Sequence, residues 1–192
     1  MKVISLLVLT IVAGGMVPNV FSAGENASTL YMLLDDHKNQ WCGYHDEKRW
    51  RSAIDEIGSM DTASVDFANE HPKTVKITHA DEPEAGDWIV YDRYDLDEHG
   101  VVRSLERTAN VLSGDVSKKE VFEFRDGRFL PKSVVARSLQ SGKLIAVPNV
   151  WFPKLPKATG ITDLPFGALI VRSQEVRTQD SVCVPGGTGS AR

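Results

Sequence analysis

The sequence lacks the short motifs that usually identify a reaction. Its 192 residues contain no Gly-x-Ser-x-Gly elbow around a nucleophilic serine, no His-Glu-x-x-His zinc motif and no phosphate-binding glycine loop. It also has no internal repeat. Catalytic residues that only the fold brings together leave no spacing to detect, so these absences do not decide whether the protein is an enzyme. We favour a protein that is not an enzyme and predict no cofactor.

The chain has no excess of basic residues either. Lysine and arginine together number 22 against 26 acidic residues, for a net charge of −4. Nucleic-acid binding requires a clustered basic excess, so composition gives no indication of a nucleic-acid partner. The length fits one domain with a substantial core.

Long apolar runs are absent beyond the N-terminus. Lys2 is followed by an apolar run over Val3–Ala13, with the small residues Ser22 and Ala23 close behind. This layout predicts a secretory signal peptide over residues 1–22. The rest is predicted to be a single globular domain over 23–180, followed by a C-terminal tail over 181–192 that contains the glycine-rich run Pro185–Ser190. The expected location is secreted or periplasmic, with no membrane span after signal removal.

Cysteine is scarce, with only Cys42 and Cys183. Two cysteines in an exported chain predict one disulfide. The alternatives are two free thiols or cysteines that bind a metal. The bridge would close a loop of roughly 140 residues, for which the chain-entropy model gives about 5 kcal/mol as an upper figure.

Alternating side chains and turn residues dominate the stretch from Asp87 to Gly142. Four successive segments are typical of strands joined by short turns, which is a meander. They are Trp88–Leu96, Val101–Val111, Glu120–Arg125 and Lys132–Leu139. In the second segment Arg103 and Arg107 interrupt an apolar face, so this strand is strongly twisted, lies at an edge or lines a groove.

The sharpest local signal is Asp126-Gly127. A two-residue type I′ turn needs positive φ at both positions, which Asp-Gly adopts at low cost. We expect Phe124 and Phe129 to face each other across this hairpin.

The segments before the meander are mixed. Thr29–Leu34 is too short for periodicity to decide, and we favour a helix. Asp46 is a plausible N-cap for a helix that ends near Gly58, with an apolar stripe that should lie on the sheet. The stripe consists of Trp50, Ala53, Ile54 and Ile57. Thr62–Ala68 and Thr74–Thr78 are predicted to be two further strands.

After the meander the chain becomes rich in proline, which excludes a central strand from about Pro148 onward. Trp151 and Phe152 are too apolar for a flexible linker. They either cap an open end of the sheet or form an apolar lip, that is, the rim of a groove for a ligand or a partner. Ala168–Val176 is predicted to be the last strand. Together these assignments predict an α+β fold, in which one or two N-terminal helices pack on a twisted antiparallel meander of about six strands.

One segment has the spacing of a calcium loop. Asp95, Asp97, Gly100, Val102 and Glu106 occupy positions one, three, six, eight and twelve, and this spacing resembles that of an EF-hand loop. The resemblance implies Asp95, Asp97 and Glu106 as metal ligands. His99 stands where the family has an oxygen ligand and the flanks are strand-like, so a polar hairpin turn is the alternative.

A second polar cluster contains His37, Cys42, His45, Asp46 and Glu47. Imidazole ligands suit zinc, and Glu47 could act as a base towards a metal-bound water. A metal-assisted hydrolase built on His37, His45 and Glu47 is therefore the alternative function.

The favoured function is an exported, non-enzymatic binding or accessory domain. Its ligand would be an apolar small molecule or a protein partner, bound on the sheet or at the apolar lip. The candidate ligand-binding residues are Trp88, Tyr91, Trp151 and Phe152.

Overall fold

The computed structural model describes residues 27–80, 88–148, 155 and 158–186. These residues form ten strands of one antiparallel sheet and three short helices. The strands are β1 Ala27–Asp35, β2 Gln40–Tyr44, β3 Thr62–Ala68, β4 His71–Ala80, β5 Trp88–Leu96, β6 Val102–Val111, β7 Val116–Arg125, β8 Arg128–Ser138, β9 Leu144–Ile145 and β10 Val182–Pro185. The helices are α1 Glu47–Ile57, α2 Gly167–Val171 and α3 Ser173–Thr178.

The strand order across the sheet is β10-β2-β1-β3-β4-β5-β6-β7-β8-β9. From β3 to β9 each strand pairs with the next one in the sequence, so the predicted meander is present and longer than expected. The prediction of a helix-packed α+β fold with about six strands is wrong. The sheet is larger because β1, β2 and β10 extend it on the side of β3.

Local turn chemistry sets the register of the β7–β8 hairpin. Asp126 and Gly127 have φ values of 54° and 75°, as the predicted type I′ turn requires. Phe124 pairs with Phe129, and their ring centroids lie 5.2 Å apart in an edge-to-face arrangement. Both predictions for this hairpin are confirmed.

One face of the sheet, here called the inner face, carries the main apolar core. Residues from β1 to β7 contribute to it, and the segment after residue 158 covers it with side chains that are almost fully buried. These covering side chains are Leu164, Phe166, Leu169, Ile170 and Val176. The predicted strand Ala168–Val176 is wrong, because this segment forms α2 and α3 and packs across the sheet.

The prediction of a helix over Thr29–Leu34 is wrong, because these residues lie in strand β1. Leu30 and Met32 alternate with Tyr31 and place their side chains in the main core. Because β1 is paired on both sides, with β2 and with β3, inter-strand hydrogen bonds override any helical tendency.

Helix α1 begins and ends where the sequence predicted. The Asp46 carboxylate accepts a hydrogen bond from the Arg49 amide at 2.8 Å, and Gly58 ends the helix in the left-handed conformation. Trp50 stacks on Tyr31 and donates its indole N–H to the Met32 carbonyl at 3.0 Å. Tyr31 alternates with the inward Leu30 and Met32, so α1 lies on the outer face of β1 and covers one edge region of the sheet.

The disulfide between Cys42 and Cys183 is confirmed. The two residues are directly opposite in the pairing of β2 with β10, so the bridge fastens the edge strand to its neighbour. Strand β10 lies within the region that the sequence assigned to a tail. Within the part of the chain that the structure describes, no helix is long and apolar enough to cross a membrane.

Candidate functional site

A row of charged side chains crosses the inner face of the meander. Asp92 on β5, Arg107 on β6 and Glu120 on β7 are successive partners in the strand register. The Arg107 guanidinium donates two hydrogen bonds to the Asp92 carboxylate, from Nε at 2.7 Å and from Nη2 at 2.6 Å. The side chains are 4% and 0% exposed, so this is a buried bidentate ion pair.

Burial and pairing act in opposite directions on these groups. Burial alone raises the pKa of Asp92, but the hydrogen bonds from Arg107 and the neighbouring His79 outweigh it, so the pKa is below its ordinary value. Burial lowers the pKa of Arg107, and the Asp92 carboxylate more than reverses that effect. The His79 Nε2 atom lies 3.5 Å from Asp92 Oδ2. Asp92 and Arg107 are therefore both charged at neutral pH.

The charged row separates two apolar clusters on the same face. One is the main core, which includes Tyr94 and Leu105; the other consists of Trp88, Val90 and Ala109 with Val111 beside them. On β7, Lys118 lies next to the row and pairs with Glu120 at 2.7 Å. The Asp92–Arg107 pair joins β5 to β6 across the inner face, whereas Lys118 and Glu120 pair within β7.

Tyr94 lies on β5 beside this row, next to Asp92 on the same face. It is 1% exposed, and its hydroxyl has no hydrogen-bond partner in the part of the chain that the structure describes. Burial raises the pKa of this phenol far above its ordinary value.

Sequence reasoning missed the ion pair but contained its signal. Arg107 was recognised as a cation between Leu105 and Ala109 on one face of its strand. Asp92 and Arg107 stand on opposite sides of the predicted Asp97–Gly100 turn, at positions that the hairpin brings opposite each other. Opposite charges on otherwise apolar faces of two paired strands would have identified the pair.

Apolar side chains are exposed at β8 and β9, the edge of the sheet that lies opposite β10. Val134 is 49% exposed and Val135 is 37% exposed, while Leu144 and Ile145 are 67% and 38% exposed. We call these four residues the apolar edge. In the described residues β9 pairs only with Ala136 and Arg137 of β8. Among the residues that the structure describes, the rest of β8 has no strand on the side away from β7. It therefore forms an edge with exposed apolar side chains, which is a feature of interaction surfaces.

The structure describes two of the four predicted ligand-binding residues, and these two lie on opposite faces of β5. Trp88 is buried on the inner face, whereas Tyr91 lies on the outer face of the same strand and is 43% exposed. Trp151 and Phe152 lie outside the described residues. The role of all four in binding stays a prediction.

The candidate calcium ligands have protein partners. Asp97 Oδ1 accepts hydrogen bonds from the backbone amides of His99 and Val101, which hold the pKa of this carboxyl below its usual range. Asp95 accepts from the Ser104 hydroxyl at 3.0 Å. Glu106 pairs with Lys119 at 2.7 Å. The described residues contain no group of three or more His, Cys, Asp or Glu side chains that could hold a metal. Calcium binding stays a prediction.

The residues of the hydrolase hypothesis are also separated. His37 lies in the turn between β1 and β2, whereas His45 and Glu47 follow the C-terminal end of β2. A strand of this length places its ends roughly 15 Å apart. His45 Nδ1 lies 3.2 Å from the Val176 carbonyl, and Glu47 pairs with Arg51. His45 and Glu47 line an open cleft of about 410 Å³, together with Tyr31, Asp66 and Phe67 among others.

Comparison with known proteins identifies no relative. No protein-family model matches the chain, no curated protein is significantly similar to it, and no solved structure shares its fold at a significant level. Any function must therefore be argued from the geometry of the chain itself.

Proposed function

We propose that this protein is an exported binding domain that engages a protein partner through the apolar edge. The observation that supports this proposal most directly is the exposure of Val134, Val135, Leu144 and Ile145 at the end of an otherwise well-packed sheet. Edge strands of soluble proteins are normally shortened, charged or covered, because an open apolar edge invites another chain to pair with it.

The packing of the inner face favours a protein over an apolar small molecule. The segment after residue 158 covers the main core of the inner face, where Phe166 and Leu169 are both fully buried. An apolar ligand would have to displace these side chains. A protein segment at the β8–β9 edge displaces none of them.

Export is supported by two features. The N-terminal pattern is typical of a secretory signal peptide, and the Cys42–Cys183 disulfide is typical of an oxidising compartment. An exported binding domain would meet its partner in that compartment.

The proposal can be tested by selecting binders from a phage-displayed random peptide library on the purified protein with its disulfide intact. We expect selected peptides to lose affinity at least tenfold when Leu144 and Ile145 are replaced in the L144S/I145S variant. The matched control is V171S, because Val171 is 71% exposed but lies on α2, away from the edge. Circular dichroism and thermal melting would verify that both variants fold. Peptides that bind the L144S/I145S variant as well as the parent protein would overturn the proposal.

A further inference from the structure

The β8–β9 edge lies in a region of unusual charge composition. No aspartate or glutamate occurs between Gly127 and Thr162, although the chain contains 26 acidic residues and has a net charge of −4. Four cations of this region lie on or beside β8 and β9. They are Arg128, Lys132, Arg137 and Lys143. The apolar edge is therefore also a cationic edge on an acidic protein.

These cations differ from those of the neighbouring strand in their pairing. On β7, each of the three cations contacts a carboxylate within 2.8 Å. The pairs are Lys118–Glu120, Lys119–Glu106 and Arg125–Glu123. On β8 and the turn after it, Arg128, Lys132 and Lys143 form no ion pair within the described residues, and Arg137 donates to the Gly142 carbonyl. The edge thus presents positive charge that the described fold does not neutralise.

The strand register places charge and apolar surface side by side. A bulge near Lys132 shifts the alternation of β8, so that Arg128 and Arg137 share the outer face with Val135 and Leu144. Val134 and Ile145 lie on the inner face of the same edge. A chain added alongside β8 would reach apolar side chains on both faces of the sheet and positive charge on the outer one.

This arrangement favours an extended peptide over the other occupants. Two copies of this chain paired through β8 would place cations against cations, which is unfavourable. An anionic membrane surface would match the charge, but a flat surface cannot meet apolar side chains on both faces of an edge. It also offers no backbone groups to pair with a strand.

We propose that the partner segment is an acidic, extended stretch of protein in which carboxylates alternate with apolar residues. Its backbone continues the line of β9 along β8, and its carboxylates contact Arg128, Lys132 and Arg137. This inference rests on the proposed function and specifies the chemistry of the partner.

The test uses three fluorescein-labelled ten-residue peptides in which valine alternates with glutamate, lysine or serine, measured by fluorescence anisotropy with the intact protein. We expect the glutamate peptide to bind about tenfold more tightly than the lysine peptide, since several weak ion pairs add to this size. The difference should shrink when the salt concentration rises from about 50 mM to about 500 mM, because exposed charges are screened.

Charge reversal provides the decisive variant. R128E/K132E should lose the preference for the glutamate peptide and bind the lysine peptide better than the parent protein does, a gain that misfolding cannot produce. The matched control is K73E/R103E, which makes the same change in net charge at two exposed cations on β4 and β6. The control should keep the preference for glutamate.

The remaining outcomes separate the inference from the proposed function. Equal binding of all three peptides that is lost in L144S/I145S would overturn the acidic partner and leave the apolar edge as a binding site. Absence of binding by the glutamate peptide up to about 1 mM would overturn the inference. Binding of the protein to phosphatidylglycerol vesicles without binding of the glutamate peptide would also overturn it. Concentration-dependent self-association in sedimentation, abolished by L144S/I145S, would assign the edge to a second copy of the chain.

Discussion

Replacing Arg107 with methionine tests the ion pair at the centre of the meander. The R107M variant keeps the volume of the apolar stem but removes both hydrogen bonds to Asp92, whose side chain is fully buried. A buried carboxylate that has lost its cation typically costs about 3–5 kcal/mol of unfolding free energy. His79 is the nearest remaining basic group of the described network, and it lies 3.5 Å away with a side chain that is 40% exposed. It cannot replace the bidentate contact.

The measurement is urea denaturation of the oxidised protein, followed by circular dichroism and tryptophan fluorescence. The matched control is K119M, because Lys119 and Glu106 form an ion pair on the outer face with side chains that are 50% and 43% exposed. Exposed pairs contribute about 1 kcal/mol or less. In the double variant D92L/R107M, which removes both charges of the buried pair, most of the lost stability should return.

The pH dependence has a defined sign. In the parent protein the pKa of Asp92 is below its ordinary value, so its contribution is present above about pH 3.9 and is lost as pH falls further. In R107M the hydrogen bonds from Arg107 that lowered the pKa of Asp92 are gone. Burial then dominates and raises the pKa of Asp92 above its ordinary value, so protonation in acid relieves the penalty of the buried charge. The difference in stability between the two proteins should therefore narrow from pH 7 to pH 4.5.

Two outcomes would refute this account of the ion pair. One is a loss in R107M no larger than the loss in K119M. The other is a difference from the parent protein that stays constant with pH, which would indicate lost packing in place of an unpaired charge.

Three further predictions concern stability. Reducing the Cys42–Cys183 bridge should lower the unfolding free energy by about 2–5 kcal/mol, measured as the shift in urea midpoint with and without reductant; an unchanged midpoint would contradict a structural role. Gly127→Ala should cost about 1 kcal/mol and Gly127→Asn less, because φ is 75° and no atom lies near the added Cβ; equal thermal shifts in both variants would argue against conformational strain. Tyr94→Phe should leave stability unchanged or raise it by about 1 kcal/mol in urea denaturation, because the buried hydroxyl has no partner within the described residues; a clear loss would reveal one.

Strands bounded by strong turn signals were predicted well. Trp88–Leu96 was predicted with the bounds that the structure has, and the Asp126-Gly127 turn and the Phe124–Phe129 pair were also correct. The information for these features lies within a few residues, since turn geometry fixes register and alternation fixes the buried face.

Segments whose structure depends on distant partners were predicted poorly. Thr29–Leu34 and Ala168–Val176 are short and apolar, so periodicity alone does not distinguish a strand from a helix in either one. The first became a strand because β2 and β3 pair with it on both sides, and the second became helical where it covers the inner face. The cationic edge could not be predicted from the sequence either. Cations on β8 are recognised as unpaired only once it is known which carboxylates form ion pairs with the cations of β7.

The sequence by itself determined the local elements of this protein: its hairpins, the capped helix after Asp46 and the bond between its two cysteines, because each follows from nearby turn chemistry or from pairing with no competitor. Tertiary structure alone decided that the described residues form a sheet of ten strands, that Arg107 is buried against Asp92, and that β8 and β9 form an exposed edge. Those features depend on which strand lies beside which, and strand order is set by contacts between residues far apart in the chain.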